Sequence, residues 1–400
     1  MSIDAYWQSL HDAWWRLATL SQPQSFSDAL ACRALSLGSL AYRAVVSARN
    51  TAYDRGWLTQ ATLPCPVISV GNLTVGGTGK TACVELIARK LAARGRRVGV
   101  LSRGYGGSRR DYWLRWDEGR LVVNGQRVPE GDPSTPRHSA LAGRSGFRGL
   151  ADEPQLLARR LAGIPVLVGA RRDRTGDTAV RELACDALVL DDGFQHRSLK
   201  RDCEIVLVHA RTPLGGWALF PRGPMREPLE SLRRAQVIIL TKADEAMETL
   251  GALRERLRSI NPQAALVTAV HEPEGLRDAA TEAPQAPERL NGMRVGLLSS
   301  IGDPVGFEAT IQRLQATVAW HCAFPDHHRY QPSDWAAFLE TVQQARPEAV
   351  LTTEKDWVRL QPITQRRTPL PVPLWVLGVH MTVHEGEEAL DDRLAGLCAR

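Results

Sequence analysis

The chain has 400 residues, with 50 basic and 44 acidic side chains, a formal net charge of +6, 44% hydrophobic and 24% charged residues. That length suits two or three domains with sizeable cores, and the composition excludes a disordered tail, a collagen-like fibre and a small disulfide scaffold. The mild positive excess permits acidic partners without calling for nucleic acid, and none is expected.

Only five basic residues are lysine (Lys80, Lys90, Lys200, Lys242, Lys355). The arginine excess reads mainly as compositional bias. A subset of arginines is open to the two-pronged hydrogen bonding that suits phosphate. The seven cysteines are scattered without a C-x-x-C pair. This points to a reducing, cytoplasmic compartment and away from zinc. The first twenty residues include Asp4, His11, Asp12 and Arg16 and lack a long apolar core, so no cleavable signal peptide is expected.

Residues 1–60 hold four of the eleven tryptophans (Trp7, Trp14, Trp15, Trp57), followed by a helix-friendly stretch from Phe26 to Val46. Arg33, Arg43, Arg49 and Arg55 are interspersed. Two readings stand open: a helix at a membrane–water interface, or one packed on the protein's own core. From residue 61 strands and helices alternate. Strands are predicted at 66–70, 97–101, 164–168, 187–190, 204–208 and 237–240, a hairpin at 111–125 and helices at 79–94 and from Asp152. Short apolar strands between helices predict a largely parallel sheet covered on both faces. Residues 271–290 carry Pro273, Pro284 and Pro287 and read as a linker or exposed loop. Residues 291–400 form a second, smaller α/β pattern. The fold class is therefore α/β, P-loop NTPase-like, divided as 1–60, 61–270, 271–290 and 291–400.

The strongest chemical signal is Gly71-Asn-Leu-Thr-Val-Gly-Gly-Thr-Gly-Lys-Thr81, between a buried strand and a helix. Glycines let successive backbone N–H groups face an anion, and the helix start adds its positive dipole end. Thr74, Val75, Gly76, Gly77, Thr78, Gly79, Lys80 and Thr81 are the expected nucleotide-binding residues. Lys80 should reach the β- and γ-phosphates of ATP, and Thr81 should offer its hydroxyl to Mg²⁺. The first motif position is Thr74 instead of glycine. Asp191 and Asp192 end a buried strand in Leu190-Asp-Asp-Gly-Phe-Gln-His196, at the sheet edge where a metal holder belongs. Asp152-Glu153-Pro154 opens a helix, where Asp152 could equally be a simple cap. Thr241-Lys-Ala-Asp244 raises the alternative of a GTPase reading guanine. Against it, Leu190 stands three residues before Gly193 where that class carries aspartate.

These motifs, with Leu101-Ser-Arg-Gly-Tyr-Gly106, Gly223-Pro-Met-Arg-Glu-Pro-Leu229 and Phe324-Pro-Asp-His327, occur in one order over about residues 40 to 360. Together they resemble the tetraacyldisaccharide 4′-kinase family, the lipid A 4′-kinases of Gram-negative bacteria. The resemblance implies transfer of the γ-phosphate of ATP to the 4′-hydroxyl of an acylated glucosamine disaccharide 1-phosphate, with Mg²⁺. It further implies two α/β lobes and an N-terminal helix on the cytoplasmic side of the inner membrane; no obligate protein partner is inferred from the sequence. Carried over residue by residue, it implies Asp152 as catalytic carboxylate supported by His327, with Lys80, Asp191 and Asp192 completing the catalytic set. Thr81, Glu153 and Asp191 would be metal ligands. Asn72, Arg103, Tyr105, Gln195, His196, Arg197 and Arg226 would contact substrate. Ala151 and Ala82 depart from the family's usual glycine and proline without removing a chemical group.

Overall fold

The computed structural model describes residues 14, 16, 25–104, 111–127, 150–213, 218–326, 328–364 and 369–398. In chain order these form α1 (Phe26–Asp54), β1 (Val67–Asn72), α2 (Lys80–Ala93), β2 (Val98–Ser102), β3 (Tyr112–Asp117), β4 (Arg120–Val123) and β5 (Gln126–Arg127). Next come α3 (Asp152–Arg160), β6 (Val166–Val168), α4 (Arg172–Arg181), β7 (Ala187–Asp191), β8 (Cys203–His209), β9 (Val237–Thr241), α5 (Met247–Ile260) and β10 (Ala265–Asp278). The last are β11 (Pro284–Gln285), β12 (Arg294–Ser299), α6 (Pro304–Arg313), β13 (Thr317–Ala323), α7 (Pro332–Ala345), β14 (Ala349–Thr353), α8 (Glu354–Thr364), β15 (Leu374–Glu385) and α9 (Glu387–Cys398).

The chain groups into two compact units, each drawn from distant stretches: Met1–Lys80, Leu190–Val270 and Val383–Arg400 in one, Thr81–Val189 and His271–Thr382 in the other. The contiguous blocks expected from sequence do not anticipate this interleaving. In the first unit β1, β8, β9 and the start of β10 pair in parallel, in that order. Every residue of β1, β8 and β9 is buried, which is why they read as unbroken apolar runs rather than alternating ones. Parallel strands end at a common edge, and β1 delivers the phosphate loop there.

In the second unit β2 pairs in parallel with β6, and β6 continues into an antiparallel β3–β4–β5 meander. Its two turns, Glu118-Gly119 and Asn124-Gly125, all take positive φ, the twist that two-residue hairpin loops favour. A parallel set, β13–β12–β14–β15, supplies the unit's other sheet portion. Residues 271–290 are a correction to the sequence reading. Residues 271–278 prolong β10, β11 pairs antiparallel with it, and Pro287–Leu290 makes a 3₁₀ turn. Leu276 and Leu290 are buried in the core; Pro284 is tolerated because β11 pairs over only two residues, and Pro287 sits in the first turn of its 3₁₀ segment.

α1 runs eight residues further than predicted. It is apolar and long enough to cross a membrane by length and composition, with 11% of its most apolar window buried. Cys32, Val46 and Asn50 turn inward, while Phe26, Leu30, Leu37, Leu40 and Val45 are exposed. The inward face is polar at its contacts. Ser39 Oγ donates to the Leu219 carbonyl (2.9 Å), Tyr42 Oη to the Arg226 carbonyl (2.9 Å) and Asn50 Nδ2 to Glu227 (2.7 Å).

Candidate active site

The loop after β1 is built around Asn72, which is fully buried. Its Nδ2 donates to Thr78 Oγ1 (2.7 Å), fixing the loop across six residues. Its Oδ1 accepts from Lys80 Nζ (3.4 Å) and from Arg226 Nη2. Its backbone carbonyl accepts from Arg226 Nη2 and Gln195 Nε2, each at 3.1 Å. Gly76 (φ +112°) and Gly79 (φ +82°) take the left-handed backbone that the sequence pattern requires. Thr74 and Thr78 are buried while Val75, Gly76 and Gly77 are exposed, so the loop crest faces solvent. Lys80 and Thr81 open α2, at the positive end of its dipole.

The acidic turn lies against this loop. A Cβ on Gly71 would meet Phe194 Cβ and N at 2.7 Å, so only glycine lets the turn approach β1 so closely. Asp191 is buried at the end of β7, and Asp192 follows with φ +49°. Asp192 accepts a two-pronged pair from Arg226 (Nη1 to Oδ2 3.0 Å, Nη2 to Oδ1 2.8 Å), and Lys80 Nζ lies 3.8 Å from the same Oδ1. Two cations and one carboxylate thus share the loop with Asn72.

The other motif residues divide by what they touch. Gln195 is half-buried on the Asn72 carbonyl, and the His196 ring is 3.1 Å from Ser198 Oγ. Arg197, expected at the substrate, also has contacts within the protein. It is buried, donating to the Asn50 carbonyl (3.0 Å) and Asp54 (2.6 Å), and so fastens the end of α1. Arg49 and Arg43 of α1 reach the Gln195 carbonyl (2.6 Å) and Glu230 (3.3 Å). Glu227, next to Arg226, is buried with Arg234 at 3.0 Å. Burial alone would raise its carboxyl, but the Arg234 charge and hydrogen bonds from Arg234, Asn50 and Ser231 hold it below the ordinary range. Sequence reasoning passed over Glu227, although it stands inside a quoted motif.

In the second unit, Asp152 and Glu153 occupy the first turn of α3. The N-cap is Ala151, so capping does not account for Asp152. The Ala151 N–H donates to Tyr112 Oη (2.9 Å), and Gly104 (φ +68°) packs its Cα face on Val168 and Ala151. Glu153 Oε1 accepts from Lys355 Nζ at 2.6 Å, and Asp152 Oδ2 lies 3.6 Å from Arg359 Nε. Lys355 and Arg359 were not anticipated. The available signal was Thr352-Thr-Glu-Lys-Asp356, which holds one of the five lysines directly after a buried strand. Arg103 is exposed after β2. Tyr105 and His327 lie outside the described residues.

Among the described residues no three His, Cys, Asp or Glu side chains gather as a metal cage. The expected donors are a hydroxyl and carboxylates, the hard oxygen set that Mg²⁺ takes together with phosphate oxygens instead of in an all-protein cage. Thr81 and Asp191 fit that pattern. Glu153 fits it in chemistry, with one oxygen held by Lys355.

The sequence profile of the family described as LpxK, tetraacyldisaccharide-1-P 4′-kinase, matches residues 31–398. A tetraacyldisaccharide 4′-kinase of Anaeromyxobacter dehalogenans is 44% identical over 354 residues, 88% of this chain and 86% of the relative. One from Syntrophus aciditrophicus is 39% identical over 356 residues, 87% of this chain and 88% of the relative. Among solved structures, an "apo" form of LpxK from Aquifex aeolicus in complex with ATP matches with a TM-score of 0.65 at 27% identity. That match covers 92% of this chain and 99% of the solved one.

Proposed function

The chain belongs to the tetraacyldisaccharide-1-P 4′-kinase family, and from that premise we propose that it transfers the γ-phosphate of ATP to the 4′-hydroxyl of a tetraacylated glucosamine disaccharide 1-phosphate, a step of lipid A biosynthesis. The observation that carries this reading is the phosphate loop itself. Lys80 is poised 3.4 Å from Asn72 and 3.8 Å from Asp192 at the start of α2, beside an exposed glycine crest. That is the equipment for cradling a triphosphate. The GTPase alternative has less to stand on, because Lys242 is turned to Glu245 at 3.6 Å.

In this reading the loop N–H groups and Lys80 bind the β- and γ-phosphates. Asp152 accepts the proton of the 4′-hydroxyl as its oxygen bonds to the γ-phosphorus, and the bond to the bridging oxygen breaks to release ADP. His327 supports Asp152 by its motif position alone. Thr81, Asp191 and Glu153 would hold Mg²⁺, which when bound offsets charge on the phosphate oxygens. By their place in the family's motifs, Asn72, Arg103, Tyr105, Gln195, His196, Arg197 and Arg226 would contact the acceptor. The apolar outer stripe of α1 would lie at the inner membrane, where the lipid acceptor resides.

The test is a transfer assay with labelled ATP and the monophosphorylated acyl disaccharide. Asp152→Asn should keep nucleotide binding while turnover falls on the order of a hundredfold or more. Label that never reaches lipid, with GTP bound in preference to ATP, would overturn the assignment. Unchanged turnover in the variant would remove Asp152 from its role.

A further inference from the structure

α8 places Lys355 and Arg359 one helical turn apart, so both side chains leave the same face. That face meets the start of α3, where Glu153 and Asp152 sit side by side. Lys355 Nζ is 2.6 Å from Glu153, and Arg359 Nε is 3.6 Å from Asp152 Oδ2. The two cations are of different kinds. The Lys355 side chain keeps a third of its surface in solvent, whereas the Arg359 side chain is 8% exposed.

A cation so desolvated is fixed by what surrounds it. Arg359 Nη1 donates to Ser300 Oγ (2.8 Å) and toward the carbonyls of Ser300 (3.5 Å) and His328 (3.3 Å). Its Nε also donates to the Lys355 carbonyl (3.3 Å). Asp356, fully buried, is 3.8 Å from Nη2. Its carboxylate is already served by the Ser300 N–H (2.9 Å), Ser300 Oγ (2.6 Å), Tyr330 Oη (3.1 Å) and Thr353 Oγ1 (2.7 Å). Asp356 therefore has four donors without Arg359. What the network does is immobilise the guanidinium with its Nε 3.6 Å from Asp152 Oδ2, an ion-pair contact with a carboxylate whose side chain is 42% exposed.

We infer that Arg359 is a positioning residue for the kinase reaction, holding the Asp152 carboxylate in the orientation from which it takes the acceptor proton. The inference rests on the reading of Asp152 above. Removing the guanidinium touches none of Asn72, Thr78 and Lys80 in the phosphate loop, while it frees the Asp152 carboxylate along with the Ser300 and His328 groups it bonds. The loss therefore falls on turnover, and a misplacement of about 1 Å costs on the order of 10- to 100-fold.

The experiment is a double-mutant cycle on the full chain in detergent–lipid micelles, with thermal melts alongside. Arg359→Met should lower kcat about 10- to 100-fold with the KM for ATP changed by no more than about twofold. Arg359→Lys should lie between, because a point charge replaces the cation but not the bonds to Ser300 and the His328 carbonyl. In the Asp152→Asn background either change should cost less than about a further twofold, since the group being positioned no longer acts. A purely structural arginine would lower the melting temperature and reduce activity by the same factor in both backgrounds; that result, or an unchanged kcat in Arg359→Met alone, overturns the inference. If Arg359→Met does not fold, Arg359→Lys decides between the two roles through the same cycle. Asp152→Asn alone reports on the underlying reading, so the two failures are distinguishable.

Discussion

Arg226 offers the most informative perturbation of the loop. Its guanidinium spans Asp192 at 2.8 and 3.0 Å, and Lys80 lies 3.8 Å from the same carboxylate. Arg226→Met removes the cation that repels Lys80 and competes with it for Asp192, so Lys80 closes on the carboxylate. At that distance and an effective dielectric of about 20, two unit charges attract by about 4 kcal/mol. The three side chains are 14–21% exposed, so solvent reduces the change to about 1–2 kcal/mol. Lys80 is then drawn from the phosphates, and ATP affinity falls about 5- to 30-fold at 1.4 kcal/mol per decade. The assay is equilibrium binding of a fluorescent ATP analogue beside steady-state kinetics. A second substitution, Asp192→Asn in the same chain, removes the pull and should return nucleotide affinity toward the native value without restoring turnover. Native ATP affinity in folded Arg226→Met would refute the reasoning, as would a double variant no better than the single one.

Two further outcomes follow from α1 and its anchor. Glu227→Gln should destabilise the protein by about 1–3 kcal/mol at neutral pH, because it leaves Arg234, 17% exposed, without its buried counter-charge. The native carboxyl sits below its ordinary value of 4.5, so its contribution is complete above that value and disappears as pH falls through the depressed one. Urea melts from pH 7 to 3.5 should show the two proteins converging in acid, and a constant gap would contradict the charge assignment. Deleting roughly the first 45 residues should release the protein from anionic vesicles; truncated protein that sediments as before would remove α1 from the membrane role.

The parts of the site legible in the sequence are the local ones. Glycines at 76 and 79, a lysine and threonine at a helix start and two acids at a strand end each declare their backbone setting within a few residues. What resisted reading is long-range. Arg197 lies in a motif rich in substrate candidates, yet its partner is Asp54, 143 positions away. Nothing in a sequence tells a phosphate-seeking arginine from one that pins a helix. Lys355 meets Glu153 across 202 positions. Residues 271–290 failed for a different reason. Their prolines suggested a loop, while Leu276 and Leu290, which decide the matter by burial, are too widely spaced to show a period.

The segment Met225-Arg-Glu227 shows why motif membership alone does not assign a role. Adjacent residues serve opposite neighbours. The Arg226 side chain binds Asn72 and Asp192 at the phosphate loop, while its carbonyl accepts from Tyr42 of α1. Glu227 turns to Asn50 of the same helix and to Arg234. The apolar helix and the phosphate loop are therefore fastened to neighbouring peptide units. A shift of α1 against its anchor must strain the Arg226 main chain, and with it the guanidinium that shares Asp192 with Lys80. Damage to the Asn50–Glu227 bond should accordingly register in ATP affinity as well as in stability, which is the physical link between the helix at one end of this segment and the chemistry at the other.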